Sequence, residues 1–324
     1  MKSLELGDMH QTNFKIIEYE IGSFLYGTNI ESSDRDYSGI FIAPINNYFG
    51  LSQISELNES IIDKDENKKN TKNAIDKKLY EIKVFFKLAL QNNPNIIEQL
   101  FIPLSSATIH SHFITEKIFK NKKDFLHKGL YNRFIGYAKS QKKKMIIKLD
   151  NFDKLNELKN ILENENPINS LNHFHDKLKS FIVDSDHIQI GDIKIPLGIL
   201  NKKALKIINN RFSNLSNRIT LINEYGYDTK FASHLIRLLL EGKDLLQYHE
   251  IEFPLKQADL IIDIKNGKYS LDEIINISDD LEKNMNIIFD ESSLPEKPNY
   301  EKIENLLIEI LNYHFYNFLK EELV

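Results

Sequence analysis

Residues 21–44 read IGSFLYGTNIESSDRDYSGIFIAP. Asp34 and Asp36 stand two apart, in front of a β-branched and aromatic run from Tyr37 to Ile42 that reads as a strand ended by Pro44. If both aspartates lie on that strand, alternation points both carboxylates to one face. Paired carboxylates bind hard divalent cations through oxygen, which suits magnesium, with manganese as a substitute. Two such ions can clamp the attacking and leaving oxygens of an in-line phosphoryl displacement. Upstream, Gly22 and Ser23 follow a second strand-like run, Phe14 to Tyr19. Glycine lets the backbone approach a triphosphate closely. Serine offers it a hydroxyl and an N–H. A bare Asp-x-Asp is an ordinary surface feature. The specific signal is the combination of Gly-Ser, Ser33 before the pair, and a β-branched strand after it.

Those residues need elements to hold them. Around the two strand candidates, residues 63–73 are charged and poor in apolar side chains, which reads as a loop. From Tyr80 the apolar spacing at Ile82, Phe85, Phe86, Ala89 and Leu90 is helical and stops at Asn92-Asn93-Pro94. A further helix is expected over Ile96–Phe101. Beyond residue 112 the periodicity is mostly helical, over 130–148, 152–164, 170–182, 201–223, 228–242, 271–290 and 299–322. Residues 186–200 read as a hairpin around Gly191-Asp192.

The motif GSFLYGTNIESSDRDYSGIFIAP resembles the signature of the DNA polymerase β-like nucleotidyltransferases. More closely, it resembles the opening of a bacterial and phage family labelled an RNA repair pathway polymerase β family. Segments like NNPNIIEQLF (92–101), NRFIGYAKSQ (132–141) and YGYDTKFASHLIRLLLEG (225–242) follow in that family's order. The resemblance implies an α+β fold. A polymerase β-like catalytic domain (small mixed sheet with helices) would occupy 1–115, and a mainly helical substrate- or acceptor-binding domain 116–324. It implies a third acidic residue just before the helix that leads to Asn-Pro, where Glu81 stands. Asp76 is the alternative, and Asp63 and Asp65 are weaker ones. It also implies two magnesium ions on Asp34, Asp36 and Glu81, and ATP or another nucleoside triphosphate on Gly22 and Ser23.

Two further groups fall inside those motifs. Asp228 is placed to cap a helix on which Lys230, His234 and Arg237, at i, i+4 and i+7, share a face. Such a stripe suits triphosphate or an RNA backbone; a wet helix face is the bland alternative. Arg133, Lys139 and Gln141, with Lys142, Lys143, Lys144 and Lys148 nearby, form a weaker basic set. Glu98 is expected to be structural.

The bulk composition narrows the classes. The chain has 324 residues, no cysteine, 41% hydrophobic and 27% charged residues and a net charge of −5. These are globular values. Disulfides, thiolate zinc sites and a cysteine nucleophile are excluded. His173 and His175, with His187 beyond, are not expected to form a metal site, nor are His110 and His112. With no apolar run near the ~18 residues of a membrane span and no signal-like start, a cytoplasmic location without membrane contact is expected. The expected reaction is transfer of a nucleoside monophosphate to an acceptor hydroxyl, most plausibly an RNA 3′ end, in RNA repair or a tRNA-related role. A protein or small-molecule hydroxyl is the first alternative. A catalytically lost nucleotide-binding module is the second.

Overall fold

The structure is a computed structural model that describes residues 13–30, 33–51, 53–63, 74–145, 149–191 and 193–322. In chain order it contains β1 (Phe14–Ile21), α1 (Gly22–Tyr26), β2 (Arg35–Ile42), α2 (Asn46–Phe49), β3 (Glu56–Asn58), β4 (Ile75–Glu81), α3 (Ile82–Leu90) and α4 (Pro94–Ile97). A 3-10 turn at Glu98–Phe101, β5 (Thr108–Ile109), α5 (His112–Lys120), α6 (Gly129–Met145) and α7 (Leu149–Glu163) follow. After a 3-10 segment at Leu171–Phe181 come β6 (Ile182–Asp184), β7 (His187–Ile190) and β8 (Ile193–Pro196). The chain then continues as α8 (Asn201–Tyr225), α9 (Thr229–Tyr248), α10 (Ala258–Lys265), α11 (Leu271–Glu291) and α12 (Tyr300–Glu322). The fold is α+β, with a small mixed sheet near the N-terminus and helices dominating thereafter. Among the described residues no helix is long and apolar enough to cross a membrane.

The five-stranded sheet has the order β3-β4-β2-β1-β5. β2 and β4 run parallel, and the other pairs are antiparallel. Alternation gives the sheet two faces. One carries Ile17, Tyr19 and Ile40, which pack on Phe85, Phe86, Ile97 and Leu100 and, with Leu235, Ile236 and Leu239 of α9, belong to one continuous core. The other carries Phe41 and Leu79 in a small apolar cluster with Ala43 and Tyr48. Beside it lies an ionic group in which Glu18 meets Lys15, Lys77 and His110, and Glu59 meets both lysines. A separate core, built on Leu158, Phe174, Leu178, Ile188, Ile195 and Ala204, joins α7, the 3-10 segment, the β6-β7-β8 sheet and α8.

Local chemistry explains the boundaries. Asn92 takes a left-handed conformation (φ 49°) to end α3, and its side-chain amide donates to the Ala89 and Phe125 carbonyls. Asn93 caps α4, whose first residue is Pro94. The helix expected over 96–101 is thus α4 followed by a 3-10 turn. The one over 170–182 is 3-10, kinked at Phe174. β4 runs to Glu81, so the helix whose spacing starts at Tyr80 begins at Ile82. Residues 64–73 of the expected loop, with Asp65, lie outside the described residues, as do Lys148 and Asp192.

α1 is docked on the C-terminal helices. The Leu255 N–H donates to the Tyr26 carbonyl at 3.1 Å, and the Tyr26 and Phe253 rings lie 6.0 Å apart. Gly27 closes α1 at φ 71°, and a Cβ there would stand 2.7 Å from Pro254 Cβ. Gly27→Ala therefore meets both a strained conformation and a clash. It is expected to lower stability by about 1–3 kcal/mol in urea denaturation; an unchanged midpoint would show that this contact does not hold α1.

Candidate functional site

The termini of the three central strands meet at one end of the sheet. β1 ends at Ile21, β2 begins at Arg35 and β4 begins at Ile75. Ile21 pairs with Asp36, and Asp36 pairs with Asp76. In-register neighbours point to the same face, so the Asp36 and Asp76 carboxylates stand side by side. Asp34 lies just before β2 and adds its charge to the group. Asp36 is pushed up to about 6 by burial first, then by Asp34 and Asp76, with Glu20 adding and Lys230 opposing. The Gly22 backbone closes on this carboxylate: at φ 69°, a Cβ on Gly22 would stand 2.7 Å from Asp36 Oδ2. Ser23 is half-buried beside it on α1. Asp76 faces solvent, its Oδ1 accepting from Ser60 Oγ at 2.8 Å.

Glu81 is not brought to this group. It pairs with Phe41 on the opposite face of the sheet. It is five residues beyond Asp76, roughly 16 Å along the strand at about 3.3 Å per residue. Its carboxylate caps α3, accepting from the Lys83 N–H at 2.9 Å and the Val84 N–H at 3.2 Å, and receives the Tyr48 hydroxyl at 2.5 Å. Burial raises its pKa. Asp76, the alternative weighed in the sequence, is the acid that stands beside Asp36.

The cationic stripe divides as well. Asp228 accepts from the Lys230 and Phe231 N–H groups at 3.0 and 3.1 Å and caps α9. Lys230 is exposed in the first turn, within electrostatic reach of Asp36. His234 is half-buried one turn on. Arg237 is turned inward, 6% exposed. Its Nη1 donates to Glu98 at 2.7 Å and to both Glu241 oxygens at 2.8 and 2.9 Å, and its guanidinium lies 4.3 Å from the Tyr26 ring centroid. The Tyr26 hydroxyl donates to Glu98 at 2.9 Å. Sequence reasoning missed Lys265 of α10, whose Nζ donates to the Thr28 carbonyl at 2.8 Å. Nothing in its local sequence distinguishes it from a surface lysine.

The donor set fits a magnesium ion. Among the described residues no three His, Asp or Glu side chains form a ready shell for one ion. Magnesium, however, keeps several waters and usually takes only one or two carboxylates plus substrate phosphates. Asp36 beside Asp76, with Asp34 close, is such a set, and their mutual repulsion is what a divalent cation would relieve.

The chain matches the RNA repair pathway DNA polymerase beta family over residues 5–309. It is 22% identical over 297 residues to an uncharacterized 38.9 kDa protein in the nrdC-mobD intergenic region of Enterobacteria phage T4, covering 82% of this chain and 87% of that one. No solved structure matches.

The Arg237 group predicts a pH effect. One guanidinium serves two buried carboxylates, and burial, then Glu98, holds the Glu241 carboxyl well above its ordinary range against the pull of Arg237. A carboxyl raised on folding stabilises in acid, and that contribution is lost as pH rises from the ordinary carboxylate range through neutrality. Between about pH 6 and about pH 9 the wild type is expected to lose more melting temperature than Glu241→Gln. Parallel profiles would mean that Glu241 is ionised throughout.

Proposed function

The chain belongs to the RNA repair pathway DNA polymerase beta family, and from that premise we propose that it is a magnesium-dependent nucleotidyltransferase whose catalytic carboxylates are Asp34, Asp36 and Asp76. The observation that carries this reading is the direct pairing of Asp36 with Asp76 at the strand ends where Gly22 closes on Asp36. In the proposed reaction an acceptor hydroxyl forms a bond to the α-phosphorus of a nucleoside triphosphate, the α–β phosphoanhydride bond breaks, and pyrophosphate leaves. Gly22 and Ser23 lie against the phosphates. Asp36 and Asp76 would hold magnesium, which supplies charge neutralisation and lowers the pKa of the hydroxyl. Asp76, open to solvent, accepts the hydroxyl proton. The catalytic portion is assigned to 1–115 and the acceptor-binding portion to 116–324.

An RNA 3′ end is the proposed acceptor. Besides the family's own description, the layout of basic residues supports it. Lys139, Lys143 and Lys144 are exposed on α6, and Lys144 Nζ lies 5.7 Å from the Phe231 ring centroid. Phe231 neighbours Lys230, so this basic helix end adjoins the residue that reaches Asp36. A backbone of phosphates is drawn to such a surface.

The test is transfer of label from each α-³²P-NTP to total RNA with magnesium. Asp36→Asn and Asp76→Asn are each expected to lower transfer by at least about a hundredfold. Glu81→Gln is expected to keep transfer and lose about 1 kcal/mol of stability through a weakened cap. Without metal, Asp36→Asn should raise the melting temperature above about pH 6, since it removes a desolvated charge from a repulsive group. A silent Glu81→Gln beside an active Asp76→Asn would reverse the assignment of the third carboxylate. No labelled RNA with any nucleotide would sink the RNA acceptor and point to a protein or small-molecule hydroxyl.

A further inference from the structure

The stripe of Lys230, His234 and Arg237 loses its last cation to the interior, and the cation that stands at the site instead comes from α10. Lys265 is the last residue of that helix and is half-buried. Its Nζ donates to the Thr28 carbonyl at 2.8 Å and to Thr28 Oγ1 at 3.2 Å. The Thr28 N–H donates to the Ser23 carbonyl at 2.8 Å. Lys265 is therefore fastened to the turn that carries Gly22 and Ser23, and Gly22 touches Asp36. An ammonium has three donors. Thr28 takes two of them.

The electrostatics around Lys265 are one-sided. Among the described residues no carboxylate stands within ion-pair distance of it. Burial first, then Lys230 and Arg237, push its pKa down to about 8. Glu98 and Glu241 occupy Arg237, but nothing comparable answers Lys265. A half-buried ammonium among like charges is unfavourable until an anion completes it. Lys230 reaches both Asp36 and Lys265. The site thus has a carboxylate pole and an ammonium pole, with Lys230 between them and the Gly22–Ser23 backbone alongside. A ligand that brings a divalent cation to one end and unpaired phosphate oxygens to the other matches both poles.

We propose that Lys265, with Lys230, forms the subsite for the terminal phosphates of a nucleoside triphosphate, held by one N–H that Thr28 leaves unused. The inference rests on the transferase reading above and adds the residue that distinguishes a triphosphate from a monophosphate.

The test is calorimetric binding of inorganic tripolyphosphate, an NTP and the matching NMP to the full chain, as wild type and as Lys265→Met. A charge-assisted hydrogen bond implies a loss of about tenfold to a hundredfold in affinity for tripolyphosphate and for the NTP, with NMP binding unchanged. The variant's melting temperature is expected to equal or exceed that of the wild type. If Lys265→Met does not fold, Lys265→Gln, which keeps a donor for Thr28 without the charge, takes its place with the same expected loss. Equal tripolyphosphate affinity in wild type and variant would overturn the proposal, as would a wild type that binds none. Tripolyphosphate binding that depends on Lys265, in a protein that transfers no label, would uphold the anion subsite and remove the transferase reading instead.

Discussion

Arg237 is the contact on which the rest of the site depends. A guanidinium removed from water needs its donors answered and its charge balanced, and losing one partner of such a group costs about 3–5 kcal/mol. Here Nη1 and the charge are answered from three separate parts of the chain, Glu98 in the turn after α4, Glu241 one turn along α9 and the Tyr26 ring at the end of α1, while Nε has no hydrogen-bond partner among the described residues. Tyr26 also hydrogen-bonds Glu98, so the four groups close on one another. Shared burial of this kind fixes α1 against α9, and α1 carries the Gly22 that abuts Asp36. The geometry of the carboxylates is in this way set from inside the helical core and not only from the sheet.

The same region keeps two stores of like charge apart. Asp34, Asp36, Asp76 and Glu20 press on one another at one end of the central strands, and Lys230 and Lys265 do so beside α1. Each store opposes folding, and neither is fully neutralised by the other. Sites that hold such perturbed groups give up stability for chemistry. A structural ion-pair network looks different, and the opposite face of the sheet provides the comparison. There Glu18 and Glu59 each meet both Lys15 and Lys77, and against the burial that would raise it the Glu18 carboxyl falls to about 2 through hydrogen bonds from Lys77 and His110 and the nearby lysine charges.

Asp34-x-Asp36, Gly22-Ser23, the flanking strands and the Asp228 cap were legible because each is local: a few residues whose spacing has one physical reading. The pairing of Asp76 with Asp36 was not. IDKKLYE places polar residues on both faces of β4, so its alternation does not declare which face is wet, and the family resemblance puts the third acid at Glu81, just before α3. The strand appears only when β2 supplies the pairing register. Arg237 misled for a different reason. Spacing puts Lys230 and Arg237 on one helix face, yet α9 enters the core along its length, so the face that begins in solvent ends among Leu235, Leu239 and Glu241. Lys265 is invisible locally, since its meaning comes from Thr28, far away in sequence.

Parity along a strand also decides what each acid can do. Glu81 already spends its oxygens on the Lys83 and Val84 N–H groups and on the Tyr48 hydroxyl. Turning it toward the other face would leave two helix-end donors unanswered and break the β4-to-α3 junction, a penalty set by buried donors without partners. Among the described residues Asp76 bonds Ser60 in the open and caps no helix. The acid that caps α3 and the acid that stands beside Asp36 are five positions apart on one strand. Side-chain alternation keeps the two roles on opposite faces of the sheet.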